Sequence, residues 1–304
     1  MFKSIKIFIN MKIVIFALTR GYPSNKSKYD SLIERNYSIY EHINSKRKNP
    51  TDMILFHEGN ISIEDQDYIN SKSQDKIKFR DVSQYFENVN FNLEGEEKYS
   101  LGYRYMCRFN MYHIWKEISD YDYALRVDED IKITKFDPFV FESMKEKNIV
   151  YMAGRFTKDI HRATNSTLPE YLMDNTNLNV KKIYNHRNPY TNLYATSVDF
   201  WKNKENNEIL KKIAMTEKQI IYRWGDHTVH GILLNHKNKK IYLFPKLEYN
   251  HISHNFVIKN NFLRNITINS KLNPISIKEG FYTKLKLKIK GKLKNRNPYD
   301  FEVN

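Results

Sequence analysis

Hydrophobic and polar residues alternate along this chain in blocks whose period switches between that of a buried strand and that of an amphipathic helix. Residues 12–20 are almost wholly apolar between two charged ends, which is typical of a strand buried on both faces of a sheet. Apolar residues recur at helical spacing over 29–45, and a second apolar run follows at 53–59. The chain therefore opens with a predicted strand–helix–strand unit.

The same alternation continues through most of the sequence. Further strands are predicted at 77–82, 149–154, 193–197 and 240–244, and helices at 103–118, 201–213 and 226–236. This order predicts an α/β fold of one domain, with a mostly parallel central sheet flanked by helices and ligands at the carboxyl ends of its strands. The polar, proline-containing residues 158–192 are predicted to be an irregular loop region at the active site.

The chain has 304 residues, of which 40% are hydrophobic, so it can form a substantial core. We expect one domain over residues 11–254 and a basic C-terminal tail over 255–304. The tail has eleven Lys or Arg against three acids, within a net charge of +15. Residues 284–290 alternate lysine with apolar residues, which favours peripheral contact with an anionic membrane. A composition bias without any partner is the alternative. We expect no nucleic acid, because no zinc, zipper or RNP-type motif is present.

Cysteine usage and the start of the chain bear on the compartment. Cys107 is the single cysteine, so no internal disulfide framework exists and nothing in the chain requires an oxidising compartment. The apolar runs within residues 1–10 are too short to span a bilayer. We therefore expect a cytoplasmic protein that contacts membranes at most peripherally.

Three consecutive acids end the apolar run at 123–127, and they are the most distinctive polar feature of the chain. On an extended strand Asp128 and Asp130 would point to one side and Glu129 to the other. Like charges at such close range repel unless a cation lies between them, and oxygen ligands favour Mn²⁺ or Mg²⁺. The pattern predicts a divalent metal site, with a solvated turn as the alternative.

Several other polar residues are candidates for a site that binds a phosphorylated ligand. Arg104 and Arg108 lie one helical turn apart and could clamp a diphosphate or pair with carboxylates. Arg20 follows the first strand, where it could contact a nucleotide. Asp226 stands where a helix N-cap is expected, and it could instead bind acceptor hydroxyls or act as a general base. Trp224 could support a sugar ring.

A histidine at 251 completes the candidate metal site, because it follows the last predicted strand and an imidazole is a suitable third ligand for Mn²⁺.

Five ordered motifs together resemble the fungal α-1,2-mannosyltransferases, glycosyltransferase family 15. They are Tyr-Arg-x-Met-Cys-Arg-Phe at 103–109, Arg-Val-Asp at 126–128, Arg-Trp-Gly-Asp at 223–226, Val-His at 229–230 and Tyr-x-His at 249–251. The resemblance covers residues 99–254. It implies a single-domain GT-A fold, GDP-mannose as the donor, Mn²⁺ as the cofactor and retention of anomeric configuration.

The resemblance also implies roles for individual residues. The family's metal-binding acid falls on Asp128 and its metal-binding histidine on His251. Tyr103 and Tyr190 then belong to the donor site, while Thr191 and Asn192 would lie beside the anomeric carbon as catalytic residues.

The chain departs from the family at two points. The family has Glu-Pro where this chain has Asp128 and Glu129, which makes the site more like the Asp-x-Asp of other GT-A enzymes. The family's candidate nucleophile should fall within residues 188–192, where no acid occurs. Two alternatives therefore stand beside a mannosyltransferase: a UDP-hexose-dependent GT-A transferase of another family, and a non-catalytic glycan- or membrane-binding protein.

Overall fold

Strands and helices alternate along the chain in the computed structural model, which describes residues 11–23, 25–86, 91, 93, 99–178, 180, 187–254, 256–260 and 264–266. The strands are β1 (Ile13–Thr19), β2 (Asp52–His57), β3 (Ile77–Asp81), β4 (Tyr123–Val127), β5 (Ile131–Lys135), β6 (Tyr151–Ala153), β7 (Phe156–Thr157), β8 (Asn188–Pro189), β9 (Leu193–Ser197), β10 (Ile241–Leu243), β11 (Leu247–His251), β12 (Phe256–Asn260) and β13 (Arg264–Ile266). The helices are α1 (Asp30–His42), α2 (Ile63–Lys72), α3 (Leu101–Arg108), α4 (Ile114–Glu117), α5 (Val140–Glu146), α6 (Arg162–Asn175), α7 (Val198–Lys202), α8 (Lys204–Ala214), α9 (Glu217–Ile221) and α10 (Asp226–His236).

The central sheet has eight strands in the order β13-β10-β6-β9-β4-β1-β2-β3. Its pairings are parallel except where β9 lies between β4 and β6 and where β13 pairs with β10. The predicted α/β fold with a mostly parallel sheet is thus confirmed. Because β9 is inverted, its first residue Leu193 lies opposite Val127 at the carboxyl end of β4. This places the residues just before β9 beside the acidic residues just after β4.

The sheet is buried on both faces, as the apolar run of β1 predicts. Val14 and Phe16 point into one hydrophobic core, while Ile15 and Ala17 point into a second core on the other face, and all four are fully buried. Alternate side chains of a strand point to opposite faces, so a continuous apolar run is what a sheet covered on both sides requires.

A second sheet of three strands, in the order β12-β11-β5, lies at the edge where β4 ends. Its strands are antiparallel, and the register sets His251 opposite Ile131. Since Ile131 directly follows the three acids, this pairing brings His251 to them across 120 positions of the sequence.

Two predicted elements differ from the structure. Residues 158–192 are not an irregular loop throughout, because α6 occupies much of them with Pro169 inside the helix. Thr164, Leu168 and Leu172 form its buried stripe at a spacing of four, which the surrounding polar residues and the proline obscure in the sequence. The predicted helix over 103–118 is interrupted by a π-helical turn, Phe109–His113, between α3 and α4.

The predicted basic tail contributes β12 and β13 to the two sheets, and its remaining residues, including 284–290, lie outside the described residues. The division at residue 254 therefore stays a prediction. Within the described residues, no helix combines the length and the hydrophobicity that crossing a membrane requires.

Candidate active site

The three acids form a tight turn and not an extended strand. β4 ends at Val127 and β5 begins at Ile131, whose backbone N–H donates to the carbonyl of Asp128 at 3.1 Å. The expectation of an extended Asp-x-Asp is therefore wrong in its geometry. The physical reason is that β4 belongs to the central sheet and β5 to the second sheet, so the chain must change direction between them.

The turn nevertheless places Asp128 and Asp130 beside the same imidazole. His251 Nε2 lies 3.1 Å from Asp130 Oδ2, and the Ser253 hydroxyl donates to that same oxygen. Burial raises the pKa of Asp128 to about 6, although Arg126 and the His251 imidazole oppose the rise. Burial acts the same way on Asp130, but its hydrogen bond and charge interaction with His251 hold its pKa below the usual value.

Asn192 fixes the other side of the imidazole. Its Nδ2 lies 3.3 Å from His251 Nδ1, and its Oδ1 accepts a hydrogen bond of 3.4 Å from the Tyr249 hydroxyl. Its backbone carbonyl accepts from the N–H of Asp128 at 2.9 Å. Asn192 is 4% exposed, so it holds His251 and the acidic turn in one arrangement.

The donor set of Asp128, Asp130 and His251, with two carboxylates and one imidazole, fits Mn²⁺ or Mg²⁺ chemically. In the described part of the chain, no three His, Cys, Asp or Glu side chains are arranged as ligands around one point. Instead Asp128 pairs with Arg126 and Asp130 pairs with His251. Binding an ion would require these groups to exchange their present partners.

Arg126 connects the acidic turn with a second carboxylate. Its Nε donates to Asp128 Oδ1 at 2.7 Å and its Nη1 donates to Asp226 Oδ2 at 2.9 Å. Only 6% of the Arg126 side chain is exposed, against 27% for Asp128 and 5% for Asp226. One buried guanidinium thus holds two carboxylates that are about one hundred residues apart in the sequence.

Asp226 is the first residue of α10, and Gly225 occupies the N-cap where Asp226 was expected. Burial alone would raise the pKa of Asp226, but Arg126 and the imidazoles of His230 and His227 bring it below its usual value. Thr191 also hydrogen-bonds to its side chain. The carboxylate is therefore ionised at neutral pH.

A network missed in the sequence surrounds the start of α10. Arg223 Nη1 lies 3.4 Å from Asp159 Oδ1, and its Nη2 donates to the Tyr103 hydroxyl at 3.1 Å. Asp159 also accepts from Thr228 Oγ1 at 2.6 Å and lies 3.6 Å from His227 Nε2. Asp159 stands in a stretch that looked like loop, so no local pattern identified it. Tyr103, which the resemblance assigns to the donor site, contacts Arg223 in this network, and its donor-binding role stays a prediction.

Arg35 is a second residue that sequence reasoning missed. It is 1% exposed on α1, and its Nε donates to the carbonyl of Val127 at 2.9 Å, directly behind the acidic turn. Burial lowers its pKa to about 9, against the pull of Asp128 and Glu129. A signal existed, since Arg35 falls among the apolar residues of a predicted helix, where a charge needs a partner.

The predicted diphosphate clamp has other contacts in the structure. Arg104 is 1% exposed and donates to the backbone carbonyls of Tyr99, Ile220 and Ile221, while Arg108 donates to Gln219 and to the carbonyl of Thr216. Both therefore join α3 to the segment that carries α9.

Trp224 also differs from its predicted role. It is fully buried, its Nε1 donates to Thr167, and its indole packs against Tyr171 in the core. A sugar ring cannot stack on a fully buried indole, which contradicts the predicted acceptor role of Trp224. Arg20 is exposed at the end of β1, where its Nε donates to the Tyr22 hydroxyl.

We expect Arg104→Met to lower the free energy of unfolding by about 2 kcal/mol or more, because buried carbonyls lose their donor. Urea denaturation measures this, with the exposed Lys116→Met as the control, for which little change is expected. Nucleotide affinity of the folded variant should stay unchanged. A variant of normal stability with weakened nucleotide binding would instead show that Arg104 contacts the phosphates.

No protein-family model matches the chain. Among curated proteins, it is 29% identical over 175 residues to glycolipid 2-alpha-mannosyltransferase 1 of Candida albicans, covering 51% of this chain and 40% of that protein. It is 26% identical over 175 residues to the probable mannosyltransferase KTR3 of Saccharomyces cerevisiae, covering 50% and 43%. The chain thus matches less than half the length of these relatives.

Solved structures show the same fold. The mannosyltransferase Ktr4p of S. cerevisiae superposes with a TM-score of 0.66 at 16% identity, covering 87% of this chain and 78% of that one. Core-mannan synthase A of Aspergillus fumigatus, in its Mn/GDP form, gives a TM-score of 0.63 at 18% identity, covering 80% and 75%. The chain is thus similar in sequence to fungal α-mannosyltransferases and has the fold of solved mannosyltransferases, in agreement with the resemblance of its motifs to glycosyltransferase family 15.

Proposed function

We propose that this protein is a metal-dependent glycosyltransferase that moves mannose from GDP-mannose to a hydroxyl group of a glycan or related acceptor. The observation that carries the proposal is the shared guanidinium of Arg126, which joins the acidic turn at Asp128 to Asp226. The names of the relatives support mannose as the sugar, and the Mn/GDP form of one structural neighbour supports a guanine nucleotide with a divalent ion.

Asp128, Asp130 and His251 would hold the ion, Mn²⁺ or Mg²⁺. When bound, it supplies a Lewis acid that offsets negative charge on the departing diphosphate. Asn192 supports this role because it orients the His251 ring from behind.

The acceptor side of the site would depend on Asp226. Its carboxylate is ionised at neutral pH, and it would orient or deprotonate the acceptor hydroxyl. Thr191 hydrogen-bonds to it, and Tyr190 precedes Thr191 at the same sheet edge. The reacting sugar would therefore be bordered by Tyr190, Thr191 and Asn192. Tyr103 would lie on the side of the site where the Arg223 network is. Arg20 would lie at the nucleotide end, near Glu129.

The location and the membrane contact in this proposal come from the sequence. A cytoplasmic location and a tail that touches anionic lipid remain predictions from the cysteine count and the charge pattern.

The test of the donor site is thermal stabilisation of the full chain by GDP and UDP, each with and without Mn²⁺. A ligand at a hundredfold its Kd should add about 2.7 kcal/mol. We expect GDP with Mn²⁺ to stabilise the protein, and Asp128→Asn to remove the metal-dependent part. Asp120→Asn, at the other end of β4 and exposed, is the matched control and should behave as the unaltered protein does.

Other outcomes separate the alternatives. Stabilisation by uridine nucleotides alone would favour a UDP-hexose transferase. Absence of any nucleotide effect, together with retained glycan binding, would favour a non-catalytic glycan-binding protein and would overturn the donor site.

A further inference from the structure

A cation that sequence analysis did not identify lies at the same sheet edge as the acidic turn. β6 and β4 are both antiparallel to β9, so they are parallel to each other and their carboxyl ends meet at one edge. Arg155 follows β6 by two residues. It therefore leaves the sheet on the side where Asp128 leaves it.

The backbone before Arg155 is held tightly. Gly154 donates its N–H to the carbonyl of Leu193 at 2.8 Å, directly after Asn192. A Cβ on Gly154 would lie 2.9 Å from the Tyr249 ring, so a larger residue would displace Tyr249. This close packing fixes the point from which the Arg155 side chain starts.

The Arg155 guanidinium lies over an aromatic ring of the candidate donor site. Its Cζ is 4.3 Å from the centroid of the Tyr190 ring, and its backbone carbonyl accepts the N–H of Tyr190 at 2.9 Å. The Tyr190 ring centroid lies 6.1 Å from that of His251. Arg155 is partly exposed, so a ligand can reach it.

A guanidinium is planar, and its fork of N–H groups can donate to two oxygens at once. A nucleoside diphosphate bound near Asp128 and Asp130 brings negative charge to a site that is already acidic, and fixed cations offset such charge. Two arginines nearby serve other groups: Arg126 is held by two carboxylates and Arg104 by backbone carbonyls.

We propose that Arg155, supported on Tyr190, contacts the diphosphate of the nucleotide sugar and positions it as the leaving group. This inference rests on the proposed function, since it requires a nucleotide diphosphate in that site. It names Arg155 as the phosphate-binding cation in place of Arg104 and Arg108.

The experiment compares binding of GDP and of guanosine, each with Mn²⁺, to the full chain and to Arg155→Gln, by calorimetry. We expect the affinity for GDP to fall about tenfold or more, the effect of losing a hydrogen bond to a charged group, and the affinity for guanosine to stay the same. Arg155→Lys, which keeps the charge and loses the planar fork, should lose less. Lys211→Gln, an exposed charge on α8, is the control and should lose nothing.

The outcomes distinguish this inference from the function on which it rests. Equal GDP affinities of the unaltered protein and Arg155→Gln would overturn the inference alone. Parallel losses for GDP and guanosine would also overturn it, because they indicate a structural role. Absence of GDP binding by the unaltered protein would overturn the proposed function and this inference with it. If Arg155→Gln fails to fold, Tyr190→Leu removes the supporting ring and should show the same selective loss for GDP.

Discussion

Replacing Arg126 with methionine should lower the free energy of unfolding by about 3–5 kcal/mol, the usual effect of removing one partner from a buried ion pair. The guanidinium serves both Asp128 and Asp226, so its loss leaves two carboxylates in a buried site without their shared cation. Chemical denaturation at pH 7 measures the change. Methionine keeps much of the side-chain volume, so the loss reports charge more than packing.

The pH dependence of the same variant gives an independent check. In the unaltered protein the folded pKa of Asp226 lies below its usual value. The stability that the ionised carboxylate contributes is therefore fully present above the unfolded pKa and is lost as the pH falls through the folded pKa. Without Arg126, burial should raise the folded pKa of Asp226. The decrease in the free energy of unfolding caused by Arg126→Met should therefore be largest at neutral pH and become smaller at acidic pH.

A double variant controls for the size of the charge effect. Arg126→Met combined with Asp226→Asn removes one of the stranded charges and should recover part of the stability. A loss below about 1 kcal/mol for Arg126→Met, or one that does not change with pH, would contradict the role assigned to this guanidinium.

Elements whose signal is local were predictable from the sequence. The apolar run of β1 and the helical spacing of α10 need only neighbouring residues to be recognised, and both form where expected. The turn at Asp128 was not predictable in this way, because it depends on which sheet the following strand joins. Helix α6 was missed because polar residues surround its short buried stripe and Pro169 lies inside the helix.

The candidate site was also predictable only in part. Asp128, Asp130 and His251 lie near one another because β11 pairs with β5 in the second sheet and sets His251 opposite Ile131, while their metal-binding role stays a prediction. The pairing of Arg126 with Asp226, by contrast, joins residues one hundred positions apart and leaves no trace in either local pattern. Two arginines one turn apart look the same whether they bind phosphate or, like Arg104, backbone carbonyls.

The second large effect is expected for Asp226→Asn, on the proposed acceptor side of the site. We expect turnover to fall by roughly 10²- to 10⁴-fold, the range for removing a general base, because asparagine keeps the shape and loses the charge. Affinity for GDP with Mn²⁺ should change little, since Asp226 is proposed for the acceptor side and is not among the candidate metal ligands. Mannose transfer to a simple acceptor and calorimetry with GDP measure the two quantities.

The matched control for this variant is Asp174→Asn, an exposed acid on α6, which should leave both quantities unchanged. Asp226→Asn with normal turnover would remove Asp226 from the reaction and leave it only as the partner of Arg126. Equal losses in turnover and in GDP affinity would instead move Asp226 to the donor side. A loss of turnover without a loss of GDP affinity would show that the two carboxylates joined by Arg126 have different roles. Asp128 would then serve the donor, and Asp226 would serve the acceptor hydroxyl.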